Sequence, residues 1–146
     1  MSESIEDRVR NLVEGNEEVD FAPFGEGTSD AWILKTEEEL SIRLPESYKW
    51  WLKNFAGGEV ALKEIFSIYE QDPKLPGGDI VYQHKLRNDD NVGKLYIMSG
   101  GHHEAYFELS SSNEGEFCVI ENCDGNIKTH KTFLLFLESL IELYTG

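Results

Sequence analysis

Positive charge is scarce in this sequence. Lys and Arg number 13 against 28 Asp and Glu, a net charge of −15 over 146 residues. Nucleic acid binds through Lys and Arg that neutralise phosphates, so this balance excludes a direct nucleic-acid ligand. An anionic membrane surface is excluded on the same ground. Cysteine is nearly missing. Cys118 and Cys123 stand in a CxxxxC spacing that matches no metal or redox motif. They read as reduced side chains, and Cys118, inside an apolar strand, as a small core residue. The longest apolar run, Phe133-Leu134-Leu135-Phe136-Leu137, is far too short to span a bilayer. The first residues carry neither the basic nor the apolar stretch of a signal peptide. A cytoplasmic protein is expected.

The usual signatures of catalysis are missing too. There is no HExxH, no G-x-S-x-G elbow, and no Lys placed to make a P-loop of Gly77-Gly78 or Gly100-Gly101. His102-His103-Glu104 suggests metal or acid–base chemistry. Neighbours on an extended segment point to opposite faces, however, and no further ligand stands at a workable spacing. The two histidines read as a turn pair, and His84 and His130 as isolated. No catalytic, cofactor or metal residue is assigned, and no enzyme is expected. An enzyme built on His102, His103 and nearby acids would need those side chains to line a pocket with perturbed pKa values.

What is present is a foldable domain. With 40% hydrophobic and 12% aromatic residues, the chain can bury a core as a single domain over 1–146. Its best-specified element is Leu44-Pro45-Glu46-Ser47-Tyr48-Lys49-Trp50-Trp51-Leu52-Lys53-Asn54-Phe55-Ala56-Gly57-Gly58. Pro45 suits a first helical position, Glu46 complements the helix dipole, and Tyr48, Trp51, Leu52 and Phe55 share one face. Gly57 is placed to end the helix in the left-handed conformation. Ile5, Val9, Leu12 and Val13 predict an earlier amphipathic helix, capped by Ser4 or Ser2 and ended at Gly15. Residues 16–28 read as a loop pinned to the core by Phe21 and Phe24.

After Gly58 the pattern becomes extended. Strands are expected near residues 60–69, at Lys94–Met98, Glu104–Leu109, Glu116–Glu121 and Asn126–Lys128, with Asp124-Gly125 as a hairpin turn. Ile80-Val81-Tyr82 is short and unassigned, and Ser110 to Gly115 is a turn. Close spacing makes the strands an antiparallel meander. From Thr132 onward, Phe133, Leu134, Phe136, Leu137, Leu140, Ile141 and Tyr144 form a wide apolar helical stripe, best buried on a sheet face. The expected class is α+β: N-terminal helices, an antiparallel sheet, and a C-terminal helix packed on it.

The central helix, with its LP-x-x-Y-x-x-x-L start and N-x-x-G-G end, resembles the SUKH superfamily. Leu44, Pro45, Tyr48, Leu52, Asn54, Gly57 and Gly58 carry the likeness, with Ile33, Glu37, Leu40 and Ile42 upstream. Residues 29–40 can be read as one helix capped by Ser29, or as an extended Trp32-Ile33-Leu34 followed by a helix from Thr36. The resemblance favours the single helix. It also implies a function: many bacterial members are immunity proteins that bind and neutralise a secreted toxin, often a nuclease. A basic nuclease toxin domain is the expected partner. A non-catalytic regulatory adaptor of the same superfamily is the alternative.

The acids are unevenly spread. Residues 1–30 hold nine (Glu3, Glu6, Asp7, Glu14, Glu17, Glu18, Asp20, Glu26 and Asp30) against Arg8 and Arg10. Asp72, Asp79, Asp89 and Asp90 cluster in the middle loops. These four, with Trp50, are the candidate partner-binding residues. Trp50 lies off the apolar face between Lys49 and Lys53, either flanking the core or offering an aromatic anchor.

Overall fold

The computed structural model describes residues 3–70, 77–87 and 93–145. Along the chain run α1 (Ile5–Gly15), β1 (Val19–Phe21), α2 (Asp30–Leu40), α3 (Glu46–Phe55), β2 (Gly58–Val60) and β3 (Lys63–Ile65). Then come α4 (Ile80–Leu86), β4 (Lys94–Gly100), β5 (His103–Asn113), β6 (Glu116–Cys123), β7 (Asn126–His130) and α5 (Phe133–Thr145). The seven strands form one sheet in chain order, with every neighbouring pair antiparallel. The α+β class, the meander and the closing helix are as the sequence implied.

Apolar spacing explains the layers. Tyr48, Trp51, Leu52 and Phe55 are all buried on the inner face of α3. They meet Phe133, Phe136, Leu137, Leu140 and Ile141 of α5 and, from the sheet, Leu95, Phe107 and Val119. Tyr48 lies at the junction. Its ring stacks on Trp51 at 5.8 Å and meets Phe133 and Phe107 edge-on at 5.0 and 5.5 Å. Its hydroxyl donates to the Phe66 carbonyl, so the one polar atom of the ring is satisfied. Phe21 packs against Trp51 and Phe55, and Phe24 against Trp50 and Phe55, which pins the 16–28 segment as expected.

Polar clamps fix how the helices enter. The Glu37 carboxylate of α2 accepts from the Leu44 N–H at 2.7 Å and so holds the corner leading to α3. Glu116 of β6 accepts from both the N–H and the hydroxyl of Ser47, and that hydroxyl accepts from the Phe133 N–H at the start of α5. One serine thereby joins α3, β6 and α5.

Five local readings change. The 16–28 loop contains β1, a strand of three residues whose alternation is too brief to register. Ile80-Val81-Tyr82 begins α4. Ser110 to Asn113 continue β5, and only Glu114-Gly115 turn, both at positive φ. Pro45 is the extended cap residue of α3 and not its first turn. The left-handed position that ends α3 is Ala56 (φ 63°), whose N–H reaches the Leu52 carbonyl. Gly57, at φ 124°, serves a different need: a Cβ there would collide with Ser67.

The buried face of α3 is directly testable. Trp51→Ala should cost about 3–5 kcal/mol in chemical denaturation, as large aromatic truncations in cores do. Lys53→Ala, on the exposed face, should shift the midpoint little. Equal losses from both would mean that the helix is turned the other way.

Candidate functional site

Of the four middle-loop acids only Asp79 falls among the described residues. Asp72, Asp89 and Asp90 lie outside those residues. Asp79 is fully buried. Its Oδ1 accepts from the Val81 and Tyr82 N–H groups at 2.9 and 3.0 Å, and its Oδ2 from the Tyr69 N–H at 2.9 Å. It is the N-cap of α4, with its carboxylate committed to backbone donors. The expectation that it presents charge to a partner is therefore corrected. An Asp directly before the apolar Ile80-Val81-Tyr82 is a weak cap signal in the sequence, and only the backbone donors around it show the role.

Trp50 is half-buried. Its ring contacts Phe24 and Phe55, and it borders a surface hollow of about 320 Å³ with Glu6, Glu46, Ser47, Lys49, Lys53 and Glu116. Here the cations are already paired: Lys49 with Glu46 at 3.1 Å, and Lys53 with Asp30 at 2.8 Å. The hollow is mixed in charge and offers an aromatic wall, but it concentrates no negative potential.

The histidines are arranged differently from expectation. His102 is exposed. His103 is buried, and its Nε2 bonds Glu121 at 2.6 Å; the ring of His130 bonds the other Glu121 oxygen at 2.8 Å. His130 is therefore not isolated. The other ring nitrogen of His103, Nδ1, lies 3.0 Å from the Tyr144 hydroxyl. Register explains the meeting: Ala105 pairs with Glu121 and Val119 with His130, which puts one side chain from each of three adjacent strands on the inner face beneath α5. Burial alone would push the Glu121 carboxyl up. The hydrogen bonds from His130 and His103, with the charge of both rings, outweigh it and hold the pKa below its ordinary value. The cluster ties β5, β6 and β7 to the end of α5, and His103 also borders a hollow of about 470 Å³ with Lys63, Glu64 and Ser99. Among the described residues no group of three or more His, Cys, Asp or Glu side chains could hold a metal ion.

Negative charge concentrates at the other end of the sheet. Asp20 stands directly opposite Glu59 across β1 and β2, and Glu59 directly opposite Glu64 across β2 and β3. Their neighbours Val19, Phe21, Val60 and Ile65 pack into the core, so alternation turns all three acids to the outer face. Paired positions bring Cβ atoms to about 4.5–5.5 Å, where like charges destabilise. Sequence spacing alone could not show this row, because β1 is separated from β2 by two helices.

The matched family model is SUKH_6, described as SMI1-KNR4 cell-wall, over residues 30–138. The chain belongs to the SUKH family. The match covers well over half of the chain and spans α2 through the start of α5, including Glu37, Pro45 and the Gly57-Gly58 pair. SUKH domains are generally non-catalytic binding modules, and the family is broadly known for immunity proteins. No curated protein matches this SUKH chain. Among the described residues no helix is long and apolar enough to cross a membrane.

The Glu121 cluster makes a pH prediction. A carboxyl whose folded pKa is depressed stabilises above its unfolded value and loses that contribution as pH falls through the folded one. Wild-type unfolding free energy should therefore drop as pH falls below the ordinary value of 4.5. Glu121→Gln should cost about 1–3 kcal/mol at pH 7, the scale of charged hydrogen bonds, and show a shallower acid limb. An unchanged acid limb in urea titrations across pH 3–6 (roughly the carboxylate range) would remove Glu121 as a source of the dependence.

Proposed function

We propose that this SUKH chain is a cytoplasmic immunity protein. It binds a basic toxin domain, of the nuclease class, and neutralises it by protein–protein contact. The observation that carries the reading is the row Asp20, Glu59 and Glu64 on the outer face of the sheet, Asp20 exposed and the two glutamates half-buried, in a chain whose net charge is −15. Family membership supports it, since immunity proteins are common in the family. A nuclease needs a basic cleft to hold phosphate, and a negative surface complements that cleft. Occupying the cleft, or a site beside it, blocks substrate without catalysis or cofactor.

The description of the family model, SMI1-KNR4 cell-wall, favours a second reading, a regulatory adaptor. An adaptor would bind its partner and leave the partner's activity intact.

Co-expression with the product of the neighbouring gene tests both readings. The expected result is a stable complex in which the toxin activity is lost. A complex that retains activity supports the adaptor, and no complex sinks the toxin assignment. The kinetics add a second check. The Debye length is about 10 Å at 0.1 M ionic strength, so added salt should slow association markedly. Dissociation should change less, because it depends on the desolvated centre of the interface. An association rate that is flat across that salt range would exclude electrostatic steering.

A further inference from the structure

The acidic row forms the rim of a cleft whose floor is unusual. Asp20, Glu59, Glu64 and Glu70 surround a space of about 460 Å³, with Ala56, Gly57, Gly58, Ser67, Ile68 and Tyr69 completing the lining. That volume falls in the range of ligand pockets, about 300–1,000 Å³. Among the described residues, none of the four carboxylates has an ion pair. The only bonds they accept are Tyr69 hydroxyl to Glu64 at 3.0 Å and Ser29 N–H to Glu70 at 2.9 Å. The floor holds a second, independent signal. Ser67 is 5% exposed, and its hydroxyl makes no hydrogen bond among the described residues. It lines the cleft where two bare glycines leave room. A Cβ on Gly57 would collide with that hydroxyl, and one on Gly58 with the Asp20 carbonyl. Both glycines sit at φ values that L side chains rarely adopt, 124° and 143°.

Two features therefore look incomplete in the free protein. Three carboxylates stand in register without a cation, although like charges at such positions repel. The Ser67 hydroxyl, on a residue that is otherwise buried, has no protein partner among the described residues and faces the cleft, where a ligand donor can reach it. One ligand chemistry satisfies both. A guanidinium is planar, always charged, and carries five N–H donors that match carboxylate oxygens in pairs, with a donor to spare for a hydroxyl. A compact divalent cation fits less well, since among the described residues no three acids converge closely enough to ligate one.

We infer that the β1–β3 cleft is a receptor for an arginine side chain of the partner protein, with Glu59 and Glu64 gripping the guanidinium and Ser67 completing its hydrogen bonds. This deepens the proposed function and rests on it only for the identity of the partner; the cleft's preference for a guanidinium can be tested without one. The phenol of Tyr69 lies against the same carboxylates. Burial first, then the bond to Glu64 and the charges of Glu64, Asp79 and Glu59, hold its pKa above the ordinary value, as a negative site requires.

The test uses the full chain and a defined probe. N-acetyl-arginine amide should shift the backbone amide resonances of Gly57, Gly58, Ser67 and Tyr69. N-acetyl-citrulline amide, of similar shape and without charge, should not. Glu59→Gln with Glu64→Gln should abolish the shifts, and Ser67→Ala should weaken them without changing net charge. Glu17→Gln with Glu18→Gln removes the same charge elsewhere and should leave them intact. The Glu59/Glu64 variant should melt higher than wild type, because repulsion is relieved, so a lost response cannot be blamed on unfolding. Shifts spread over other acidic surfaces, or produced equally by citrulline or by calcium chloride, overturn the assignment. With a cognate partner in hand, the Glu59/Glu64 variant should weaken the complex roughly tenfold or more. A partner complex untouched by that variant overturns the cleft and leaves the immunity reading standing. Arginine binding without any toxin complex does the reverse.

Discussion

Everything else in the molecule hangs on the aromatic junction where α3 meets α5 over the sheet. Tyr48, Trp51, Phe55, Phe107 and Phe133 fill it, and each is within 1% of full burial. Rings of this size bury about 150–250 Å² each, so a handful supplies much of the hydrophobic stabilisation of a domain this small. The junction also sets orientation. Edge-on contacts at 5.0 and 5.5 Å from Tyr48 to Phe133 and Phe107 allow one mutual placement of helix and strand. Ser47 and Glu37 then lock the approach of α3 from either side. The turn after α3 follows from that placement, and with it the position of Gly57 and Gly58 at the cleft floor.

Much of this was legible in the sequence. The Tyr48, Trp51, Leu52, Phe55 stripe gave α3 and its buried face, and the stripe from Phe133 to Tyr144 gave α5. Asp124-Gly125 gave the last hairpin, and Ser29 and Ser4 the caps of α2 and α1. These signals are local and repeat at the period of the element. The features that were missed depend on pairing between distant residues. β1 is recognisable only once β2 lies beside it. His130 looks solitary until register sets it next to Glu121. Asp79 looked like a loop charge because its role, capping a short helix, depends on backbone donors that the sequence does not display. The acidic row was half visible: Asp20 counted among the N-terminal acids, whereas Glu59 and Glu64 stood among extended residues with no reason to be joined to it.

The two polar groupings at opposite ends of the sheet make an instructive contrast. Beneath α5, Glu121 is fully answered by His103 and His130, and Tyr144 closes the chain of bonds. Such a network is self-contained and rigidifies what it touches. At the β1–β3 end, the acids are uncompensated by any described cation and the Ser67 hydroxyl is open. One end of the sheet has finished its electrostatics internally, and the other leaves them to be completed from outside.

Strand order adds a kinetic dimension to that asymmetry. From β4 to β7 each strand pairs with the next through a tight turn, so this half of the sheet is built from local contacts. The pairing of Asp20 with Glu59 instead closes a segment of 39 residues (59 − 20), and Ile65 with Met98 one of 33 (98 − 65). Closure entropy grows with the logarithm of length, and non-local pairings form late. The cleft is therefore assembled from the topologically slowest strands, joined to β4 by the short Ile65–Met98 pairing and the Phe66 N–H to Ile97 carbonyl bond beside it. Short strands of this kind open locally more readily than the long β5–β6 ladder. Hydrogen exchange would find its fastest strand amides at the acidic end, and a bound partner would act there as the brace that the chain itself does not provide.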